Sequence, residues 1–449
     1  MRESYMGWTP WDWKELNVAQ QPEWPDLNQL ELVEKELSTY APLVYPTEIE
    51  TLKDALAKAT KGEAFLLQAG DCAESFNDHS AQNVRDRLKV ILQMAVVLTY
   101  SSGVSVIKVG RMAGQYAKPR SSPTETYQGV ELPSFRGHIV HSDEPDLGKR
   151  TPDPKRLLRA YQQSLSTINI LKSLTTGGFA DLSQVHTWNQ EFVASSSEGE
   201  RYDAIATEIT RALNFMEACG INLEKEVALK QVQFWTSHEA LLLGYETALT
   251  RIDPKSKRYY DLSAHMIWIG ERTRDLNGAH VRFASGISNP IGLKVGPKMS
   301  VEELDELCKV LNPENIPGRL TLITRMGAET LRSRLPTLIE QVQRSRHNVL
   351  WTCDPMHGNT FTSTQGLKTR RFDDVIGEIR AFFEIHREIG TWPGGIHIEL
   401  TGDDVTECLG GSLEVFENEL DTQYNTICDP RLNARQSLDL AYHVAEMLF

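Results

Sequence analysis

Six cysteines (Cys72, Cys219, Cys308, Cys353, Cys408 and Cys428) are scattered over 449 residues, and no two stand in Cys-X-X-Cys spacing. This excludes the dense disulfide framework of a small secreted scaffold, so most are expected to be buried thiols. No apolar run approaches the roughly 20 residues that a membrane helix needs, and the opening MRESYMGWTPWDWKEL lacks the apolar stretch of a secretory signal. The expectation is a cytoplasmic protein with no membrane partner. Positive charge is also in short supply. Lys and Arg number 47 against 61 Asp and Glu, for a formal charge of −14, which argues against general affinity for nucleic acid or anionic lipid. Any gathering of Lys and Arg then needs a local reason. Internal repeats, low-complexity tracts and Gly/Ser/Pro-rich linkers are all lacking. What remains is an ordinary globular composition, 40% hydrophobic and 24% charged, able to bury a large core. The length suits two or three small domains, or one α/β barrel of about 250 residues with additions.

The first 25 positions hold Trp8, Trp11, Trp13 and Trp24, four of the nine tryptophans. Such apolar area is rarely left in water, so this arm is expected to dock on the body or on another subunit. Two helices follow in the reading. Asp26 caps one bearing Leu30, Val33 and Leu37, and Thr47 with Glu50 forms a capping box for another that stops at Gly62. The pattern then changes to short apolar runs separated by helical segments, the signature of parallel βα units. Eight runs qualify: 65–70, 104–110, 232–237, 265–270, 290–296, 320–325, 348–353 and 395–400. Eight is the number that closes a (β/α)8 TIM barrel. Helices are expected over 84–99, 300–311 (capping box Ser300 with Glu303), 328–343, 372–389 and from Asn433 onward. The fold class is therefore α/β, with an N-terminal arm and helices over 1–62 and a catalytic barrel over 63–449. The gap between the second and third runs is too long for a plain connection. It is expected to carry a helical insertion around 153–222, with one helix starting at Asp153-Pro154 and another marked by Ile205, Ile209, Leu213 and Met216.

A barrel of this kind keeps its chemistry at the C-terminal ends of the strands. There the chain reads Asp71-Cys72, Arg111, His238-Glu239, Glu271-Arg272, Lys294, Arg325, Asp354 with His357, and Glu399. Two chemical groups emerge. Arg111, Arg272, Lys294 and Arg325 are four cations in an acidic protein, and the loop GQYAKPRSS adds Lys118, Arg120 and Ser121. Guanidinium forks bind phosphates and carboxylates through paired hydrogen bonds, so anionic substrates suit this set. Structural ion pairs with Glu239 and Glu271 are the open alternative. Cys72, His357, Glu399 and Asp429 form the second group. Mixed S, N and O donors suit Mn, Co, Fe or Zn better than Mg or Ca, which prefer oxygen shells.

The segments LLQAGDCAESF, VGRMAGQYAKPRS, WTSHEALLLGYE, WIGERTR, NPIGLKVGP, GRLTLITRMG, CDPMHGNT, GGIHIELTGDDVTECLGG and CDPRLN resemble those of the type II 3-deoxy-D-arabino-heptulosonate 7-phosphate (DAHP) synthases. The resemblance runs from about Trp8 to Leu448 and includes the tryptophan-rich arm. It implies a metal-dependent transferase that condenses phosphoenolpyruvate with erythrose 4-phosphate at the entry to the shikimate pathway. It implies divalent-metal ligands at Cys72, His357, Glu399 and Asp429, Mn2+ foremost, with Co2+, Fe2+ or Zn2+ as alternatives. Phosphoenolpyruvate contacts are implied at Arg111, Glu271, Arg272, Lys294 and Arg325, and erythrose 4-phosphate contacts at Lys118, Arg120 and Ser121. Lys294, Glu239 and Glu271 are the candidate groups for proton transfer and water placement. A homo-oligomer, feedback by Trp, Phe or Tyr, and a chorismate mutase partner are further implications. One departure stands out. The family commonly reads RGD-x-V-N after the KPRS loop, where this chain has Arg136-Gly137-His138-Ile139-Val140-His141, which questions the local loop geometry. Competing readings are another phosphosugar aldolase on the same barrel and a catalytically dead homologue. Phosphate release from the two substrates separates them.

Overall fold

The computed structural model of the chain describes residues 7–127, 129–220, 226–412 and 414–448. Eight strands form its centre: β1 (Ala64–Gly70), β2 (Ser105–Arg111), β3 (Trp235–Glu239), β4 (Met266–Ile269), β5 (Ile291–Val295), β6 (Leu320–Thr324), β7 (Val349–Cys353) and β8 (Gly395–Glu399). They close in chain order, each pair parallel, with β8 returning to β1. All eight expected runs are strands, so the (β/α)8 barrel stands. Around it lie α1 (Leu27–Leu37), α2 (Pro46–Thr60), α3 (Ala81–Ser102), α4 (Lys155–Thr176), α5 (Leu182–Ser195), α6 (Gly199–Ala218), α7 (Leu243–Leu249), α8 (Ala279–Gly286), α9 (Val301–Leu311), α10 (Ala328–Arg344), α11 (Phe372–Ile389) and α12 (Ala434–Leu448). No helix among the described residues is long and apolar enough to cross a membrane.

Strand alternation grades the lumen from oily to charged. Phe65, Leu67 and Ala69 of β1 pack outward with α3 and α12 residues such as Leu88, Ile91 and Leu440. The alternate positions face in. At the bottom Leu66, Ile107, Trp235, Met266 and Leu350 join Leu52, Leu56 and Ala59 of α2, so the N-terminal helix stoppers the barrel. The middle layer carries Gln68, Ser237 and His397, and the top carries Arg111 and Glu399. Register explains the convergence at the top, because Gly70 lies level with both Arg111 and Glu399. Trp268 reaches into the lumen because Gly292 beside it has no side chain; a Cβ there would sit 2.7 Å from the Trp268 Cβ.

The arm docks on the barrel's flank. Trp8 donates from Nε1 to the Arg282 carbonyl (2.9 Å) and meets Tyr259 edge-on at 5.2 Å. Its indole lies so close to Gly286 that any Cβ there would overlap it. Trp13 donates to Thr247 Oγ1 (2.8 Å). Removing a buried indole leaves a cavity as well as lost transfer energy. Trp8→Ala is therefore expected to destabilise the fold by about 3 kcal/mol, measured as a lower denaturant midpoint at unchanged slope; an unchanged midpoint contradicts the docking.

Local capping differs from the expectation in two places. α2 starts at Pro46, and Glu48 accepts from the Tyr45 N–H (2.9 Å), so the box is not Thr47 with Glu50. Proline is preorganised for the first helical position and needs no N–H partner, which moves the start upstream. Ser300 does accept from the Glu303 N–H (3.0 Å), but the Glu303 carboxylate turns away to Arg274. The insertion also has three long helices rather than two. α5 was overlooked, although Val185, Phe192 and Val193 are buried against the body.

Candidate active site

Three strand ends and one late loop bring the sulfur, nitrogen and oxygen donors together. Cys72 follows β1, His357 lies in the loop after β7, Glu399 ends β8, and Asp429 comes from the loop before α12. One ligand atom each from His357, Glu399 and Asp429 falls within a mutual 4.8 Å, and so does one each from Cys72, Cys428 and Asp429. Asp429 is thus shared by two three-residue groups that together hold the four expected residues, with Cys428 as an additional sulfur. Lys118 points its ammonium into this cluster, 3.1 Å from Cys72 Sγ, 2.8 Å from Asp429 Oδ2 and 3.7 Å from Glu399 Oε1. With Lys118, the buried Arg111 and Arg370 face Glu399, so the two carboxylates are paired with cations rather than left as isolated buried charges. The donor chemistry fits a borderline transition ion.

The protonation states of Glu399, Asp429 and His357 agree with this, whereas burial, the neighbouring Cys428 and the nearby carboxylates push the Cys72 thiol up against the pull of Lys118, so metal binding there must displace a proton. Burial alone would raise Glu399, yet His357, Lys118, Arg370 and Arg111 hold its carboxyl well below the usual range. Burial likewise opposes ionisation of Asp429, and Lys118, Lys368 and Arg370 overcome it. His357 is pushed down to about 4 by burial, against the pull of Asp354 and Glu399. Its imidazole is therefore neutral at pH 7, as a metal ligand must be. Nδ1 meets Asp354 Oδ2 at 2.7 Å, which leaves Nε2 facing Glu399 at 3.3 Å.

Beside the donors a cavity is lined by Arg111, Glu239, Glu271, Arg272, Lys294 and Arg325, with Lys118 and His357 at its edge and Trp268 in its wall. Arg111 stacks over Trp268 with 5.0 Å to the ring centroid, and Lys294 lies 5.9 Å away. Arg111 donates to Glu399 (2.8 Å), and Lys294 bonds Asp354. Among the described residues, no carboxylate lies within ion-pair distance of Arg272 or Arg325. The alternative of structural pairs with Glu239 and Glu271 does not describe this arrangement. Glu271 is clamped by Arg274 instead, from Nε (3.2 Å) and from a terminal nitrogen (3.0 Å). Glu239 is buried, raised in pKa by that burial, and its Oε1 has no hydrogen-bond partner.

The erythrose 4-phosphate set is dispersed by comparison. Lys118 is buried in the donor cluster, Arg120 pairs with Glu125 (2.8 Å) and reaches Cys428 Sγ (3.4 Å), and Ser121 is exposed. The atypical histidines are structural. His138 accepts from the Phe76 N–H (2.9 Å) and contacts Asp143 (2.8 Å), while His141 accepts from the Arg136 N–H (3.2 Å). Both are buried, and His141 is lowered to about 4 by desolvation.

Several residues escaped the sequence reading. Arg370 meets Glu399 Oε2 at 2.8 Å. Arg431 ties Asp71 (3.2 Å) to Glu407 (2.7 Å) and so anchors the loop that carries Asp429. Neither lies at the end of a barrel strand, and a local TRRF or PRLN segment gives no sign of such a role. Trp268 could have been found, since it is the inward alternate of Ile267 and Ile269.

A closed parallel barrel with cations, carboxylates and an S/N/O cluster at its C-terminal mouth has the layout of a TIM-barrel enzyme's active site. The family model of the class-II DAHP synthetase family matches residues 8–445. The phospho-2-dehydro-3-deoxyheptonate aldolase of Streptomyces coelicolor is 55% identical over 435 residues, covering 97% of this chain and 96% of that protein. The phospho-2-dehydro-3-deoxyheptonate aldolase AroG of Mycolicibacterium smegmatis is 49% identical over 436 residues, covering 96% and 92%. The chain belongs to the class-II DAHP synthetase family.

Proposed function

We propose that this enzyme condenses phosphoenolpyruvate with erythrose 4-phosphate and water to give DAHP and phosphate, the entry reaction of the shikimate pathway. The observation that carries the reading is the convergence of Arg111, Arg272, Lys294 and Arg325 on one cavity beside the Cys72, His357, Glu399 and Asp429 donors. Two highly anionic substrates repel each other, and a cationic wall offsets that repulsion. Arg272 and Arg325, which have no ion-pair partner among the described residues, are the most available for phosphate and carboxylate. A divalent ion held by Cys72, His357, Glu399 and Asp429, Mn2+ foremost, supplies Lewis-acid polarisation of the aldehyde when bound. Carbon–carbon bond formation joins C3 of phosphoenolpyruvate to the aldehyde carbon and leaves C2 electron-poor. Water adds there, and phosphate departs with cleavage of its bond to C2. Glu239 orients that water, because Glu271 is already committed to Arg274; Lys294 holds the proton to be delivered. Purified, metal-loaded chain is expected to release phosphate only when both substrates are present. No release overturns the reading in favour of a dead homologue.

Feedback by aromatic amino acids belongs to the same proposal. An apolar cavity of about 670 Å³ lies between the insertion and the barrel, lined by Leu92 and Val96 of α3, Lys108 of β2, Val185 of α5, and Ile209 and Met216 of α6. Its walls suit an aromatic ring, and the Lys108 amine suits a carboxylate. Trp, alone or with Phe or Tyr, is expected to lower the rate through a coupling of roughly 1–3 kcal/mol. Val96→Trp, which fills the space, is expected to abolish the response. Kinetics insensitive to every single and paired aromatic amino acid refute it and leave the insertion as an oligomer-building element.

Oxidation offers a further check on the donor cluster. The Cys72 and Cys428 sulfurs lie within 4.8 Å. In chelated protein, hydrogen peroxide is expected to take two electrons and two protons from the thiols, giving a Cys72–Cys428 disulfide and two waters. Bound metal is expected to protect. Peptide mapping that recovers both thiols free rejects the pairing.

A further inference from the structure

Below the rim, four strands share a ring of hydrogen bonds whose polarity is set at one end. Arg111 can only donate. Its NH1 meets His397 Nε2, so that nitrogen must present a lone pair. The neutral ring then keeps its proton on Nδ1, which donates to Gln68 Oε1 (2.8 Å). With its oxygen so committed, Gln68 donates from Nε2 to Ser237 Oγ (2.9 Å). The Ser237 hydroxyl in turn donates to the Gly110 carbonyl (3.2 Å), one residue before Arg111. Gln68, Ser237 and His397 are fully buried, so no water competes for these groups. The ring passes from β2 to β8, β1, β3 and back to β2, and each donor has one acceptor.

Arg111 is thereby held on every side. Nε donates to the Asp71 carbonyl (3.0 Å), NH2 donates to Glu399 Oε1 (2.8 Å), and NH1 is left to His397. The other tautomer would aim an Nε2–H at the guanidinium, and two donors would face each other in a buried lumen, a costly arrangement. The proton on Nδ1 and the direction of the arginine are one choice. Plain lumen filling needs only volume at position 397 and no particular acceptor.

We propose that His397, fixed as the Nδ1–H tautomer by Gln68, is a positioning residue that orients Arg111 toward the anionic substrate. This rests on the reading that Arg111 receives phosphoenolpyruvate. Two measurements test it separately. Nitrogen NMR of the full chain labelled with 15N-histidine, chelated and kept reduced, with His397→Gln to assign the signal, is expected to show a neutral ring protonated on Nδ1. A proton on Nε2, or an imidazolium, overturns the ring. In kinetics, His397→Leu is expected to raise KM for phosphoenolpyruvate about tenfold while kcat and KM for erythrose 4-phosphate stay within about threefold. His397→Gln, whose carboxamide oxygen can replace Nε2 as acceptor, is expected to stay within about threefold throughout. Equal KM changes in both variants, or a fall in kcat alone, overturn the positioning role. If Arg111→Ala leaves KM for phosphoenolpyruvate unchanged, the substrate reading fails while the tautomer result still stands on its own.

Discussion

Treatment with a strong chelator is expected to bring phosphate release to background, and Mn2+ or Co2+ to restore it. Cys72, His357, Glu399 and Asp429 offer one sulfur, one neutral imidazole nitrogen and two carboxylates held ionised by surrounding cations. His357→Ala removes the imidazole from the donor clusters and leaves Glu399 facing Arg111 and Arg370. Even groups that merely support metal ligands cost about 10–100-fold when removed, so loss of the ligand itself is expected to exceed about 100-fold in rate. Cys72→Ala should also erase the near-ultraviolet thiolate-to-cobalt band of the Co2+-loaded protein. Full turnover in chelated protein contradicts the metal assignment.

Replacing Lys294 with Met is expected to lower kcat by about 10²–10⁴, the usual worth of a positioned proton donor. Burial lowers the Lys294 ammonium to about 8, with Arg111 and Arg325 adding to the depression and Asp354 opposing it. The sign follows from this. The protonated, active form is complete well below pH 8 and is lost as pH rises through it. Wild-type kcat/KM for phosphoenolpyruvate, which reports groups of the free enzyme, should therefore fall on the alkaline side of about pH 8, and the residual activity of Lys294→Met should lack that limb. A variant that keeps the wild-type alkaline limb assigns the titration to another group.

The barrel was legible because parallel strands buried on both faces read as short apolar runs, and their spacing counts them. All eight runs lie within a few residues of the observed strands, and the rule that chemistry sits at strand ends led to Arg111, Lys294 and Glu399 directly. Helices with one apolar stripe, such as α10 and α11, were equally plain. α5 was harder to see, because its buried set is small and His186 and Asn189 are buried among it. His138 and His141 marked a departure from the family, but only their neighbours, Phe76, Arg136 and Asp143, show that they serve the loop's packing.

By itself the sequence determined the fold class, the eight strands, the net negative charge and the stock of cations and donors at the mouth. These depend on periodicity and composition, which act over a few residues at a time. Tertiary structure alone decided which partners those groups take. Lys118 turns inward to Asp429, Arg274 rather than Arg272 clamps Glu271, and Arg431 anchors the loop that brings Asp429 to Cys72, some 360 positions away. Such choices are settled by register around a closed barrel and by the need to pair every buried charge, and neither leaves a local pattern in the chain.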